Sequence, residues 1–136
     1  PRVLKGISDL SQQYGLKVAN VFHAGDGNMH PLILFDANRE GELETAEALG
    51  GKILELCVEA GGSITGEHGV GREKINQMCA QFDSLEITAF HAVKAAFDPE
   101  GLLNPGKNIP TLARCAEFGA MHVHNNELPH PELPRF

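Results

Sequence analysis

The chain has 136 residues, 42% of them apolar, and a formal net charge of −7. That length suits one domain with its own hydrophobic core, or the end of a larger protein. The acidic balance, without any basic block, argues against nucleic acid, whose phosphates require clustered Lys and Arg.

No apolar run approaches the roughly 20 residues of a membrane span. The chain opens on Pro1 and Arg2 with no signal-peptide pattern, an opening expected of a fragment. Val3, Leu4, Ile7, Leu10 and Tyr14 recur at helical spacing, which predicts an amphipathic helix over 2–14 with Gly15 as its stop. Lys17–His23 and Pro31–Phe35 read as strands. Gly25-Asp26-Gly27-Asn28 between them is turn chemistry, so 16–36 reads as a β-hairpin with a slightly long loop.

Leu43, Ala46, Leu49, Ile53, Cys57 and Ala60 form one face of a long helix with glutamates on the other, and Gly61-Gly62 ends it. Acidic residues at its start suit the positive end of the helix dipole. Ser63–Thr65 reads as a short returning strand, and Val70–Cys79 as a shorter helix. Asp83-Ser84-Leu85-Glu86 has the form of a capping box opening a helix to Phe97, where Asp98-Pro99 stops it. Leu102–Lys107 is a turn. From Thr111 to Phe136 periodicity fades and prolines accumulate, which predicts an irregular tail. The order implies an α+β fold with a small sheet. A lone hairpin is marginal in water, so further strands are expected from sequence outside the chain, and uncovered edges favour self-association.

Cys57, Cys79 and Cys115 are odd in number and widely spaced, with no CxxC. They read as free buried thiols in a reducing compartment rather than a disulfide framework or a thiolate metal site.

The chemistry concentrates in His23-Ala-Gly-Asp-Gly-Asn-Met-His30 and Gly66-Glu67-His68-Gly69. The hairpin puts His23 and His30 across the mouth of the loop, where directly opposed Cβ atoms are about 4.5–5.5 Å apart. Glu67 supplies an oxygen donor. Two imidazoles and one carboxylate leave a coordination position open, as catalysis requires, and suit zinc, manganese or iron. Asp26 and Asn28 read chiefly as turn formers, with orientation of a histidine as a second role for Asp26. His68 is the proton-transfer candidate. A helix starting near Val70 would turn its positive end toward it and keep it neutral; a structural histidine is the alternative. His91 reads as structural. His122 and His124 form an HxH pair of little functional weight.

Together with Leu103-Asn104-Pro105-Gly106-Lys107, these motifs resemble the C-terminal domain of FAD-linked 2-hydroxyacid dehydrogenases in the vanillyl-alcohol-oxidase-type superfamily. The tail Arg114–His124 and the ending Pro131–Phe136 are most similar to glycolate-oxidising members. The resemblance covers essentially the whole chain. It implies that residues 1–110 are the second half of a ferredoxin-like cap domain over a flavin, followed by a helical C-terminal segment, with the FAD-binding domain outside the chain. It implies His23, His30 and Glu67 as metal ligands and His68 as the base. Asn104 becomes a flavin contact, with Lys107 a weaker one.

Leu32 stands where hydroxyglutarate-oxidising relatives carry a polar substrate contact, which favours a small acid such as glycolate or lactate. The resemblance further implies one flavin-binding and one iron–sulfur partner subunit. A cytoplasmic site follows, peripheral to the inner membrane through those partners. A non-enzymatic metal-stapled docking module and a metal-dependent hydrolase are the competing readings of the same donors.

Overall fold

A computed structural model describes residues 1–117 and divides the chain into two compact units, Pro1–Glu67 and a second beginning at His68. The first unit runs α1 (Arg2–Tyr14), β1 (Lys17–His23), β2 (Asn28–Leu34) and α2 (Glu42–Glu59). Gly15, at φ 70°, ends α1 as its spacing predicts. The second strand begins three positions before the expected Pro31. Asn28 and Met29 join the ladder because the loop closes tightly over residues 24–27. Gly27 N–H donates to the His23 carbonyl at 3.0 Å, and Asn28 N–H donates to Asp26 Oδ1 at 3.0 Å.

The strands pair antiparallel, with Lys17 opposite Leu34 and His23 opposite Asn28. Side chains alternate across a pleated strand. Val18, Met29 and Ile33 therefore share one face, and they pack against the buried cluster of Ile7, Leu16, Ala46, Leu49 and Ile53 from the two helices and the α1–β1 turn. The other face carries Val21, Leu32 and Leu34, all exposed. At its turn end it carries His23, Asn28 and His30.

α2 ends in a Schellman closure, in which Gly62 N–H donates to the Cys57 carbonyl and Gly61 N–H to that of Val58. The expected strand at Ser63–Thr65 does not form. Ser63 Oγ instead donates to the Thr65 carbonyl at 3.0 Å, a local bond that bends the segment while Ile64 is buried.

In the second unit the expected helix over 70–79 is replaced by turns over 71–77 and a short α3 (Met78–Gln81). Gly71 is the cause. Its φ is +57°, outside the right-handed helix. Its N–H donates to Asn108 Oδ1, and its carbonyl accepts from Asn108 N–H, both at 2.8 Å. A helix would need that carbonyl for Ile75.

α4 (Ser84–Phe97) opens on the expected capping box: Glu86 N–H donates to Asp83 Oδ1 at 2.9 Å, and Asp83 N–H to Glu86 Oε2 at 2.8 Å. Just beyond it, the Asp98 carboxylate accepts from the backbone N–H groups of Leu102 and Leu103, each at 2.9 Å, and from Lys94 Nζ. Lys94 holds the Asp98 pKa below its ordinary value, and the two backbone donors add to the effect.

The tail expected to be irregular from Thr111 begins with a helix, α5 (Leu112–Glu117). Thr111 Oγ1 accepts from Arg114 N–H at 3.2 Å and caps it. His122, His124 and the terminal motif lie outside the described residues.

The cysteine expectation is corrected. Cys79 and Cys115 form a disulfide with Cα atoms 5.2 Å apart, and only Cys57 of the three is free. A separation of 36 residues leaves no local spacing signal. Closing a loop of that size stabilises by about 4 kcal/mol in the chain-entropy model. Burial pushes the Cys57 thiol pKa up, which keeps it protonated and unreactive. No helix among the described residues is long and apolar enough to cross a membrane. The α+β class is the one the element order implies.

Truncation of Ile53, 2% exposed in the first unit's cluster, to Ala is expected to lower the unfolding free energy by about 2–5 kcal/mol in urea melts. For Asp98 the sign follows from its lowered pKa. Its stabilisation is fully present above the ordinary carboxylate pKa of about 3.9 and is lost as pH falls through the folded value. The gap in melting temperature between wild type and Asp98→Asn is therefore expected to be widest near neutrality and to narrow below about pH 4.

Candidate metal centre

His23 is the last residue of β1 and His30 the third of β2. They are not directly opposed as the hairpin reading expects. His23 pairs with Asn28, and His30 pairs with Val21. The two histidines are diagonal neighbours on one face, a relation that long ring side chains still bridge. Their ring centroids lie 5.3 Å apart with the planes at 84°.

Glu67 reaches the same place from beyond α2. Its Oε1 lies 3.4 Å from His23 Nε2, and its Oε2 lies 3.9 Å from His30 Nε2. One donor atom from each of the three residues lies within 4.8 Å of the others. Metal–nitrogen and metal–oxygen bonds are about 2.0–2.2 Å, so donors sharing an ion sit some 3–4 Å apart. The set fits a divalent ion with small adjustments of side chains that are partly free to move. His23 is 60% exposed, Glu67 47% and His30 23%.

Sequence reasoning missed the role of Asn28. Its Nδ2 donates to Glu67 Oε1 at 2.6 Å. Its side chain lies against Gly66 so closely that a Cβ built there would stand 2.6 Å from Asn28 Oδ1. A signal was available. Asn28 precedes His30 by two residues in a strand, so both side chains leave the same face. Asp26 is a turn former, bonded to Asn28 N–H.

His68 directly follows Glu67, is exposed, and begins the second unit. The expected helix dipole is missing at His68, because no helix starts at Val70 and α3 is a four-residue helix starting at Met78. Asn104 belongs to the turn after α4, at φ +47°, and its Oδ1 accepts from Lys107 Nζ at 3.0 Å. His91 Nε2 donates to the Pro110 carbonyl at 2.9 Å, the structural role expected of it.

Residues 1–108 match the family model described as FAD linked oxidases, C-terminal domain. The chain is 82% identical, over its whole length, to glycolate oxidase subunit GlcD of Escherichia coli (strain K12), covering 27% of that protein. It is 41% identical to glycolate oxidase subunit GlcD of Bacillus subtilis (strain 168), over 82% of this chain and 24% of that protein. It is 35% identical to a D-lactate dehydrogenase of Archaeoglobus fulgidus, over 77% of this chain and 23% of that protein. The chain thus spans about a quarter of the length of these relatives. With the match covering most of its residues, the chain belongs to the family of C-terminal domains of FAD-linked oxidases.

Proposed function

We propose that this chain is the substrate- and metal-binding part of an FAD-dependent 2-hydroxyacid dehydrogenase that converts a small acid such as glycolate to its 2-oxo acid. The observation that carries the reading is the convergence of His23, His30 and Glu67 in a chain of FAD-linked oxidase descent. A metal-dependent hydrolase uses a similar donor set, but that descent does not favour it.

A divalent ion, when bound, would supply Lewis acidity that favours loss of the substrate's hydroxyl proton. FAD, bound mainly by sequence outside this chain, supplies the two-electron acceptor. This chain's residues do the rest. His23, His30 and Glu67 would hold that ion and so fix where the substrate is bound, which would convert a bimolecular encounter into an oriented one. A ring nitrogen of His68 takes the hydroxyl proton. Its support is its place in the chain: nothing separates it from Glu67, and consecutive Cα atoms are about 3.8 Å apart. Loss of that proton raises electron density on the hydroxyl oxygen and weakens the C2–H bond, which is the bond the oxidation breaks. Asn104 remains the proposed flavin contact.

Leu32 follows His30 by two residues, on the same sheet face, and is 51% exposed. It presents an apolar wall beside the donors. A second carboxylate placed there would lose water without gaining a partner, which supports a small monocarboxylate substrate. The two GlcD relatives are subunits by name. On that basis we extend to this chain an assembly with a flavin-binding and an iron–sulfur partner, which receive the electrons.

In the flavin-loaded protein that contains this chain, glycolate is expected to turn over faster than 2-hydroxyglutarate. Leu32→Asn is expected to shift the kcat/KM ratio toward the dicarboxylate by about tenfold. A native preference for the dicarboxylate would overturn the substrate reading. His68→Ala is expected to lower kcat by about 10²–10⁴-fold, the usual range for a general base, with metal content unchanged by elemental analysis. An unaltered kcat would remove His68 from the mechanism.

A further inference from the structure

Asn28 touches the candidate centre in a way that turn formation does not require. The turn is already served by its backbone, whose N–H donates to Asp26 Oδ1. Its side-chain amide is directed elsewhere, across a sequence separation of 39 residues, to Glu67 Oε1 at 2.6 Å. The residue preceding Glu67 is the glycine that makes room for it. Any side chain at position 66 would bring a Cβ to 2.6 Å from Asn28 Oδ1 and 3.0 Å from its Cγ. Gly66 is not at positive φ, so what a larger residue would meet there is the end of the Asn28 side chain, which would have to shift from its present place.

Resting on the proposed metal reading, we propose that Asn28 is a positioning residue for Glu67, and that Gly66 leaves room for its side chain in that position. The amide holds the carboxylate by Oε1, the oxygen 3.4 Å from His23 Nε2, and Oε2 then lies 3.9 Å from His30 Nε2. Glu67 is 47% exposed; an unheld glutamate there would spread over its rotamers, and each binding event would have to order it. Asn28 removes that step. Its own place is set by the ladder, where it stands opposite His23. Asn28 thus shares a ladder position with one histidine and its amide with the carboxylate. An amide is the chemistry this place demands. Aspartate would set a second anion against Glu67, and a serine hydroxyl is too short to span the same gap.

The experiment is a double-mutant cycle on metal affinity in the intact flavin-loaded protein. Manganese and zinc are each titrated against a competing chelator into wild type, Asn28→Ala, Gly66→Ala and the double variant. Melting temperatures are recorded in excess chelator. Asn28→Ala is expected to weaken affinity about 10–100-fold, as loss of groups that orient metal ligands does, while the chelator-treated melting temperature stays near wild type. Gly66→Ala is expected to weaken affinity similarly in the wild-type background. In the Asn28→Ala background it should cause little further loss, because the atoms it strikes are gone.

If wild type binds metal and Asn28→Ala binds it within twofold of wild type, the positioning role is overturned while the centre stands. If the two substitutions act additively, the steric link to Gly66 is overturned. If wild type binds neither metal, the centre itself is rejected and this inference falls with it. A melting temperature that drops in step with affinity would assign Asn28 to folding and overturn the positioning role.

Discussion

A carboxylate on an irregular segment becomes a usable ligand only when something else decides where it points. Here the Asn28 amide does so, through a bond at 2.6 Å to Glu67 Oε1. A glutamate ordered from solvent loses about 1.5–2 kcal/mol of side-chain freedom. A hydrogen bond to a charged group contributes about 1.5–3 kcal/mol and less where the pair is exposed, as here, so the tether offsets part of that loss before any ligand arrives. Of the three donors, Glu67 is the one that depends on it. The two histidines stand on a regular ladder, and Glu67 does not.

The ladder in turn takes its register from the hydrophobic core. Val18, Met29 and Ile33 pack on the cluster around Ile7, Leu49 and Ile53. Because side chains alternate with period two, a slip of one residue would send Met29 and Ile33 to solvent and His30 inward. The burial of those apolar residues therefore also decides that His23, Asn28 and His30 leave one face together. Packing energy and site geometry are coupled through parity, and the α1–α2 layer is part of the reason the donors converge.

The same physics explains what could be read from the sequence. α1, α2 and α4 were legible because their signals are local: apolar spacing, a glycine stop, and the Asp83–Glu86 capping box. The nearness of His23 and His30 was legible because hairpin chemistry brackets them. The strand pairing shows its limit, since the loop closes over residues 24–27 and puts His23 opposite Asn28 instead of His30. What stayed hidden involves distant partners. Residues 70–79 carry a helical pattern, but Gly71 gives both backbone groups to Asn108. Cys79 meets Cys115 across a gap without periodicity. Ser63 satisfies Thr65 locally where a strand was expected. Asn28 was visible as a turn residue, and only its parity with His30 hinted at more.

The exposure of the centre bears on what it can do alone. His23 and Glu67 are both about half open to solvent. Charges in water interact at about 1 kcal/mol at 4 Å, and several times more strongly where water is excluded. Electrostatic catalysis depends on that exclusion. Next to the donors, Val21, Leu32 and Leu34 present an apolar face that is itself uncovered. Covering that face would bury apolar area, which is favourable, and would lower the dielectric around the three donors, which strengthens their hold on charge.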